Sequence, residues 1–469
     1  MNLQLTLLLA YSALLIGLGL WIGRRVRGAA DFFVAGRRLG PGLIFSTMLA
    51  ANIGAGSTVN ATALGYSGGV AAWWWVGSAA LGSAILAFWI GPAIRREAAA
   101  RDLRTVGDYL EYRYGATVRA LIAALLWVGS LFILAGQLFA MGVILNTVAD
   151  IPSWLGCVIG GVVITAYFTA GGLLTSAWVN MVQLAVKLGG FAIAVPLVLD
   201  RVGGFQALAL VRPDDPVYWS FWRPGPPGVM LVALLTPAFI VSPGLLQKIF
   251  GARDDRAVRI GVGLNALGLL LYAGVPVILG ISARKLFPAL AIPDLALPTI
   301  LMRGLPPAVG ALGLAAVFSA EISAADAVLF MLTTSLSQDL YKRFVNPSAT
   351  DDRVLLVTRV TAVVSGVAGV VLAIGLGSVL NALTIFYSLL GVSLFVPILA
   401  GLYVRRAGTP EALASIACGV AIMVGVQVTT RGRGVVGLTP ALAGLVAATT
   451  GFLLVFIART RTYEPERAV

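Results

Sequence analysis

The segment Ala50-Ala51-Asn52-Ile53-Gly54-Ala55-Gly56-Ser57-Thr58 places small, polar and glycine residues in the middle of an apolar run, residues 40–66, that is long enough to cross a bilayer. Glycine relaxes the backbone, so this segment predicts a break in a membrane helix. Five apolar runs later, Ile240-Val241-Ser242-Pro243-Gly244 interrupts residues 227–249, and proline cannot donate a helical hydrogen bond. Breaks at matching positions predict a repeated membrane core whose ion and solute sites lie at unwound backbone.

The composition is that of an integral membrane protein. Of the 469 residues, 59% are hydrophobic and 11% are charged, and the mean hydropathy is +0.94. A soluble core of this length could not bury so much apolar surface. About 13 runs approach the roughly 20 residues that a helix needs to span a bilayer. They are 4–23, 40–66, 69–94, 117–148, 153–170, 173–199, 227–249, 257–283, 307–342, 354–373, 376–404, 409–429 and 437–458.

The offset of five runs between the two breaks predicts two five-helix repeats. Residues 40–199 form the first repeat and residues 227–404 the second, which must be inverted because each repeat has an odd number of spans. One extra helix, 4–23, precedes the repeats, and two more lie within 409–458. We therefore expect an all-α protein in which residues 1–469 make a single membrane domain.

The basic residues predict the orientation of the chain. Most of the 33 Lys and Arg residues fall in loops on one side, which is typical of the cytoplasmic face, so the amino terminus lies outside and the carboxyl terminus inside. The predicted cytoplasmic segments are 24–38, 95–119, 248–259, 342–359, 405–406 and 459–467. Arg24, Arg25 and Arg27 follow the first run without a small-residue cleavage site, so that run is an uncleaved span of a cell-membrane protein. The net charge of +13 follows from this topology, and nucleic-acid binding is not expected.

Several classes of function are excluded by what the chain lacks. It has no histidine, and its two cysteines, Cys157 and Cys418, stand in apolar surroundings. Disulfide scaffolds, zinc sites and histidine-based catalysis are therefore not expected, and neither are enzyme activity or an organic cofactor. A transporter-like sensor is disfavoured by the short segment 459–469. A channel remains an alternative, although paired broken helices favour alternating access.

Three ionisable side chains, Lys187, Glu321 and Asp326, lie inside apolar runs. A charge at that depth costs a few kcal/mol and is usually kept for an ion or proton path, although a pair that only fixes helix packing is the alternative. At 100° per residue, Asp326 flanks the face that carries Ser323, whereas Glu321 points nearly opposite. We therefore interpret Glu321 as a scaffold residue.

A polar stripe on the run 173–199 carries Lys187. Ser176, Asn180, Gln183 and Lys187 recur at i, i+4, i+7 and i+11 and share one helical face. Such stripes often serve only to hold membrane helices together. The charge of Lys187 favours an ion pathway instead.

From about residue 30 to 460, the chain resembles the sodium:solute symporter family, whose members carry sugars, amino acids, vitamins, carboxylates or choline on a leucine-transporter-type fold with 5+5 inverted repeats. The segments that carry the resemblance are 31–38, 105–115, 171–172 with 178–183, 247–248, 319–342 and 405–408. The resemblance implies secondary active symport of a small organic solute with Na⁺ as the coupling ion, by alternating access and without an obligatory protein partner.

The resemblance also implies ion sites. The ligands of the family's main sodium site correspond here to backbone carbonyls of Ala50, Ile53 and Ala320 and the hydroxyl of Ser323. The next ligand, usually a second hydroxyl, is Ala324, so one oxygen is missing.

A second ion or proton site is implied at Asn180, Lys187, Asp326 and Ala327. Many relatives have an aspartate where this chain has Asn180. Asp326 either relocates that negative charge or neutralises Lys187.

Lys187 opens an alternative for the coupling ion. In some sodium-independent transporters of this fold, a lysine on the equivalent helix places its ammonium near the main sodium site. If Lys187 acts in this way, the chain is a proton-coupled or ion-independent transporter in which the Lys187 ammonium replaces the sodium ion.

The solute-facing candidates, by resemblance and by position at the breaks, are Ser57, Thr58, Trp75, Gln137, Ser242 and Pro243. None is charged, which favours a neutral or zwitterionic solute. The run Trp73-Trp74-Trp75 is also typical of an interfacial aromatic belt.

Overall fold

The computed structural model describes residues 3–23, 34–168, 172–223, 228–435 and 437–463. In these ranges the chain is helical, and its only β-type pairs are two isolated bridges. Ten helices among the described residues are long and apolar enough to cross a membrane, and two shorter apolar helices accompany them. The predicted all-α membrane class is confirmed, whereas the count of 13 spans and the inverted repeat stay predictions. Arg24, Arg25, Arg27 and parts of the segments 24–38, 171–172 and 459–467 lie outside the described residues.

The α-helices follow one another with few long connections. In chain order they are α1 (Leu3–Gly23), α2 (Pro41–Asn52), α3 (Ala61–Gly68), α4 (Trp73–Ile85), α5 (Gly91–Ala100), α6 (Val106–Tyr114), α7 (Ala116–Ala149), α8 (Ser153–Phe168), α9 (Gly172–Val202), α10 (Gly204–Ala209), α11 (Leu231–Val241), α12 (Pro243–Phe250), α13 (Asp255–Tyr272), α14 (Gly274–Leu286), α15 (Ala296–Arg303), α16 (Pro307–Thr334), α17 (Asp351–Leu376), α18 (Val379–Tyr403), α19 (Thr409–Thr429) and α20 (Pro440–Tyr463). Wider π-type turns at Gly56–Asn60, Leu86–Ile90 and Ser335–Val345 extend α3, α4 and α16.

The first predicted break is confirmed between α2 and α3. Helix α2 ends at Asn52, and Ile53 is extended, with φ −95° and ψ 92°. The next residue, Gly54, lies against α16 so closely that a Cβ atom on it would sit 2.3 Å from the Cβ of Ala324. Only a residue without a side chain permits this approach, so the break is pressed onto α16.

The second predicted break is confirmed between α11 and α12. Ser242 leaves the helical conformation, with φ −55° and ψ 119°, and Pro243 is the first residue of α12. Proline suits that position because the first turn of a helix does not use its N–H groups. The two interruptions therefore follow from local sequence, as expected.

Helix α16 occupies the centre of the bundle. In the candidate span Pro307–Val345, 89% of the residues in the most apolar stretch are buried. It packs against α2, α7 and α9, and α9 also packs against α2. Side chains of α9 and α16 can therefore reach the end of α2 at the first break.

An ion network ties α6 and α7 to the extension of α16. The guanidinium of Arg119, 6% exposed, lies 2.8 Å from carboxylate oxygens of Asp108, Glu111 and Asp339. Asp339 also accepts a hydrogen bond from the hydroxyl of Thr105. One buried cation thus connects three segments at one end of the bundle.

Candidate functional site

Lys187 of α9 directs its ammonium into the first break. Its Nζ donates to the carbonyl oxygens of Ala50, at 2.6 Å, and Ile53, at 3.2 Å, and to the hydroxyl oxygen of Ser323, at 2.5 Å. The side chain is fully buried. An ammonium has three N–H donors, and here each has an acceptor. We call Ala50, Ile53, Lys187 and Ser323 the amine site.

The acceptors of the amine site exist because α2 stops at Asn52. The last carbonyls of a helix lack partners within it and carry the negative end of its dipole, so they attract a cation. The hydroxyl of Ser323 adds a donor to the same place, 2.8 Å from the carbonyl oxygen of Ala50 and 3.0 Å from that of Ala320. The chain thus satisfies this helix end with its own side chains.

The five residues assigned to a main sodium site are brought together only in part. Ala50, Ile53 and Ser323 converge on the Lys187 ammonium, and the carbonyl of Ala320 faces the Ser323 hydroxyl. Ala324 contributes a methyl group next to Gly54 and no oxygen. A sodium ion at this place would need the oxygens that the ammonium already holds. With Lys187 in this position, the residues present do not fit a sodium ion there.

Glu321 lies on the other side of the same break. Its Oε1 lies 2.8 Å from the hydroxyl of Thr58, which is also 2.9 Å from the carbonyl oxygen of Gly54. Glu321 therefore borders the first break, which its angle on α16 alone did not predict, and its interpretation as a scaffold residue stays a prediction. Glu321 and Ser323 do point about 200° apart around α16. The broken helix, however, contacts α16 on both of these sides. The carbonyl of Ala50 bonds to Ser323, and the hydroxyl of Thr58 bonds to Glu321.

A second polar cluster surrounds Asp326. Its Oδ2 accepts a hydrogen bond from the hydroxyl of Ser176, to which the amide of Asn180 also donates at 3.1 Å. The Asn180 amide also lies 3.1 Å from the hydroxyl of Thr47, whose carbonyl accepts from Lys248 Nζ at 2.9 Å. We call Thr47, Ser176, Asn180, Lys248 and Asp326 the Asp326 cluster. It joins α2, α9, α12 and α16.

The residues assigned to a second ion or proton site divide between two places. Asn180 and Asp326 belong to the Asp326 cluster, whereas Lys187 belongs to the amine site and Ala327 faces the cavity described next. Lys187 is about 10 Å from Asn180 along α9. Asp326 bonds to Ser176, whereas Lys187 bonds at the amine site, and no ion pair joins Asp326 to Lys187 among the described residues.

A cavity of about 60 Å³ lies between the two breaks. Four of the solute-facing candidates line it, namely Ser57, Trp75, Gln137 and Ser242. The other two have different roles, since the Thr58 hydroxyl turns to Glu321 and Pro243 begins α12. The space is sufficient for several water molecules or a very small solute.

Aromatic rings form one wall of the cavity. Trp75 meets Tyr387 edge to face, with ring centroids 6.3 Å apart, and Tyr387 stacks on Phe239 at 5.6 Å. Trp74 instead packs against Phe221, and its indole donates to that residue's carbonyl. The tryptophan run therefore serves two environments, and Trp75 belongs to the cavity.

Sequence reasoning missed three polar residues of the cavity wall, Asn52, Lys248 and Tyr387. Lys248 adds a charged residue to the cavity wall, which the uncharged candidates did not include, because the predicted cytoplasmic segment began at Lys248 whereas α12 continues to Phe250. For Tyr387, the sequence did offer a signal, since it is a tyrosine inside the apolar run 376–404.

Comparisons with known proteins agree on the class. A family model described as the sodium:solute symporter family matches residues 32–419. The chain is 24% identical over 463 residues to the sodium/glucose cotransporter of Vibrio parahaemolyticus, covering 87% of this chain and 82% of that one. It is 24% identical over 442 residues to the sodium/iodide cotransporter of Homo sapiens, with 87% and 66% covered. The substrate-bound, outward-open structure of a Na⁺-coupled sialic acid symporter has a TM-score of 0.82 at 17% identity and covers 97% of this chain and 98% of that one. The two chains share a fold.

Proposed function

The chain belongs to the sodium:solute symporter family, and from that premise we propose that it is a secondary transporter of a small organic solute in which the Lys187 ammonium takes the place of a main sodium ion. The relatives it matches are transporters and not enzymes. The protein is then a multi-pass cell-membrane protein of 13 spans, amino terminus outside, with two inverted repeats.

One observation carries this proposal. The ammonium of Lys187 is bonded to Ala50, Ile53 and Ser323, three of the residues whose oxygens the family resemblance assigns to sodium. A positive charge at that point attracts the carbonyl end of α2 and the hydroxyl of α16. Contact between α2 and α16 therefore needs no external cation.

Solute binds beside the amine site, in the cavity between the breaks. Hydrogen-bonding groups of Ser57, Gln137 and Ser242 and the ring of Trp75 border that space. Lys248 adds an amine with two N–H groups beyond its bond to Thr47. We infer a zwitterionic solute or one with a carboxylate, which is released when the two repeats rock against each other in alternating access.

Sodium-coupled symport is the second candidate, and the Asp326 cluster favours it. The cluster offers a buried carboxylate and the Oδ1 atom of Asn180, which has no hydrogen-bond partner among the described residues. Oxygen atoms of this kind suit a hard cation. In this form of the function, sodium binds at the Asp326 cluster while Lys187 keeps the amine site.

Uptake into proteoliposomes distinguishes the candidates. The purified full chain is supplied with labelled proline, pyruvate, choline and glucose under an inward sodium gradient, an equal potassium gradient or a proton gradient. We expect uptake of at least one zwitterionic or carboxylate probe, at equal rates in sodium and potassium. Uptake that requires the sodium gradient would overturn sodium-independent transport and support sodium binding at the Asp326 cluster, and protein-free liposomes provide the background.

A further inference from the structure

We propose that Glu321 is the fixed counter-charge of Lys187, so that the chain supplies both charges of the first break. Glu321 is a positioning residue, because it acts through the lysine. The inference rests on the proposed function, in which the ammonium stands where a coupling ion would bind. It assigns a role to a buried carboxylate that the transport reaction otherwise leaves unused.

The two charges match the two helix ends that the break creates. Lys187 lies at the carbonyl end of α2, the negative end of that helix. Glu321 lies at the first turn of the helical segment Gly56–Gly68, whose N–H groups make its beginning positive. Each charge therefore faces the helix end of opposite sign.

A short stretch of backbone separates the charges. The carbonyl oxygen of Ile53 accepts from Lys187, and the Thr58 hydroxyl that bonds to Glu321 also lies 2.9 Å from the carbonyl oxygen of the next residue, Gly54. No ion pair within 4.0 Å joins Lys187 to Glu321 in the described part of the chain, so they act across this backbone rather than in direct contact. The break is held from both sides.

Glu321 has a free acceptor that calls for a positive charge. The residue is fully buried, and its Oε2 has no hydrogen-bond partner among the described residues. A bare carboxylate oxygen in the interior is costly unless a cation lies nearby. Among the described residues of the surrounding helices, the ionisable groups within electrostatic range of it are Lys187 of α9 and Tyr272 of α13. Lys187 is the cation of the two.

A purely structural Glu321 predicts a different outcome from a counter-charge. Glutamine keeps the volume and the acceptor for Thr58 but removes the negative charge, so Glu321→Gln should be mild if packing is the only role. If Glu321 is the counter-charge, Glu321→Gln leaves the Lys187 ammonium uncompensated. Removing both charges should then restore much of the stability that either single change loses.

The first test is a double-mutant cycle on the purified full chain. Melting temperature is measured for the wild type, Glu321→Gln, Lys187→Met and the double variant. We expect both single variants to melt lower and the double variant to recover at least half of the larger loss. Losses that simply add overturn the proposal. If neither single variant can be purified, recovery of the double variant supports the proposal and its failure overturns it.

The second test uses sodium as the probe. Lys187→Ala vacates the oxygens of the amine site beside Glu321, so NaCl should raise its melting temperature relative to N-methyl-D-glucamine chloride. Adding Glu321→Gln should raise the sodium concentration needed for this response at least tenfold, while adding Glu321→Asp, which keeps the negative charge, should raise it less. An unchanged response with Glu321→Gln overturns the inference. Sodium dependence of wild-type uptake, by contrast, overturns the proposed function.

Discussion

The ammonium nitrogen of Lys187 and the hydroxyl of Ser323 lie 2.5 Å apart and both bond to the carbonyl oxygen of Ala50. Three helices, α2, α9 and α16, therefore meet at one backbone oxygen. Any change in the charge or the hydroxyl at this point alters how the broken helix is held.

Replacing Lys187 with alanine should create a sodium dependence of transport. The carbonyls of Ala50 and Ile53 and the hydroxyl of Ser323 lose their cation, and a sodium ion can then take their oxygens. We expect proteoliposome uptake to be roughly tenfold faster in sodium than in potassium, a difference of about 1.4 kcal/mol. Lys187→Arg, which keeps the charge, should remain indifferent to sodium, and sodium dependence in that variant would argue against a tethered cation.

Ser323→Ala should destabilise the protein by about 1 to 3 kcal/mol, because the ammonium loses an acceptor and a buried carbonyl loses a donor. Ser337→Ala is the matched control on the extension of α16, since within the described ranges that hydroxyl bonds only to the carbonyl of Thr333 in its own helix. The thermal unfolding of both variants in detergent gives the comparison. Equal losses would mean that Ser323 has no special role in the amine site.

Gly54→Ala should impair both stability and transport. The added Cβ would lie 2.3 Å from that of Ala324 and 2.9 Å from the Oε1 of Gln137. Overpacking of this kind costs about 1 to 3 kcal/mol. Gly42→Ala, in the helical α2, should be neutral or stabilising, since no atom from another described part of the chain lies within 4 Å of the new methyl group. A normal melting temperature for Gly54→Ala would show that the break can move away from α16.

Lys248→Met should weaken the transport of carboxylate solutes while keeping the packing of α12. A hydrogen bond to a charged group contributes about 1.5 to 3 kcal/mol, so we expect KM for such a solute to rise by at least tenfold. Uptake of labelled pyruvate or proline as a function of concentration measures this. Lys342→Met removes a lysine that faces Asp351 at 3.7 Å, away from the cavity, and should leave KM unchanged. An unaltered KM in Lys248→Met would indicate that its amine only fastens α12 to Thr47.

Arg119→Ala should be strongly destabilising. It removes the cation shared by Asp108, Glu111 and Asp339 and leaves the buried carboxylate of Asp339 without it, which costs about 3 to 5 kcal/mol. Arg96→Ala removes an arginine that is 58% exposed and should cost less than about 1 kcal/mol. Melting curves of the two variants should differ by many degrees. Similar curves would show that the network of Arg119 does not hold α6, α7 and α16 together.

The breaks were predictable because their causes are local. The glycines at 54 and 56 and the proline at 243 change the backbone wherever they stand in a helix. The buried polar face of α9 was predictable for a related reason, since a spacing of three or four residues puts Ser176, Asn180 and Lys187 on one side of any helix.

The partners of the charges were not predictable from one helix at a time. Angular position on α16 separates Glu321 from Ser323, but it does not reveal that a broken neighbour contacts both sides. The partners of Asp326 could not be predicted for a similar reason. Its depth relative to its neighbours depends on how α9, α12 and α16 are offset along their axes. These offsets arise from packing between distant segments, which no single sequence pattern records.

A cation that is a side chain cannot be released on the far side of the membrane. The work that the membrane voltage does on the Lys187 ammonium in one half of the transport cycle is cancelled when the empty protein returns, since the charge moves back through the same field. Lys187 can therefore change how fast the protein turns over at a given voltage. Lys187 cannot change the steepness of the solute gradient that the protein sustains, because that gradient depends only on the solute and ions that cross the membrane.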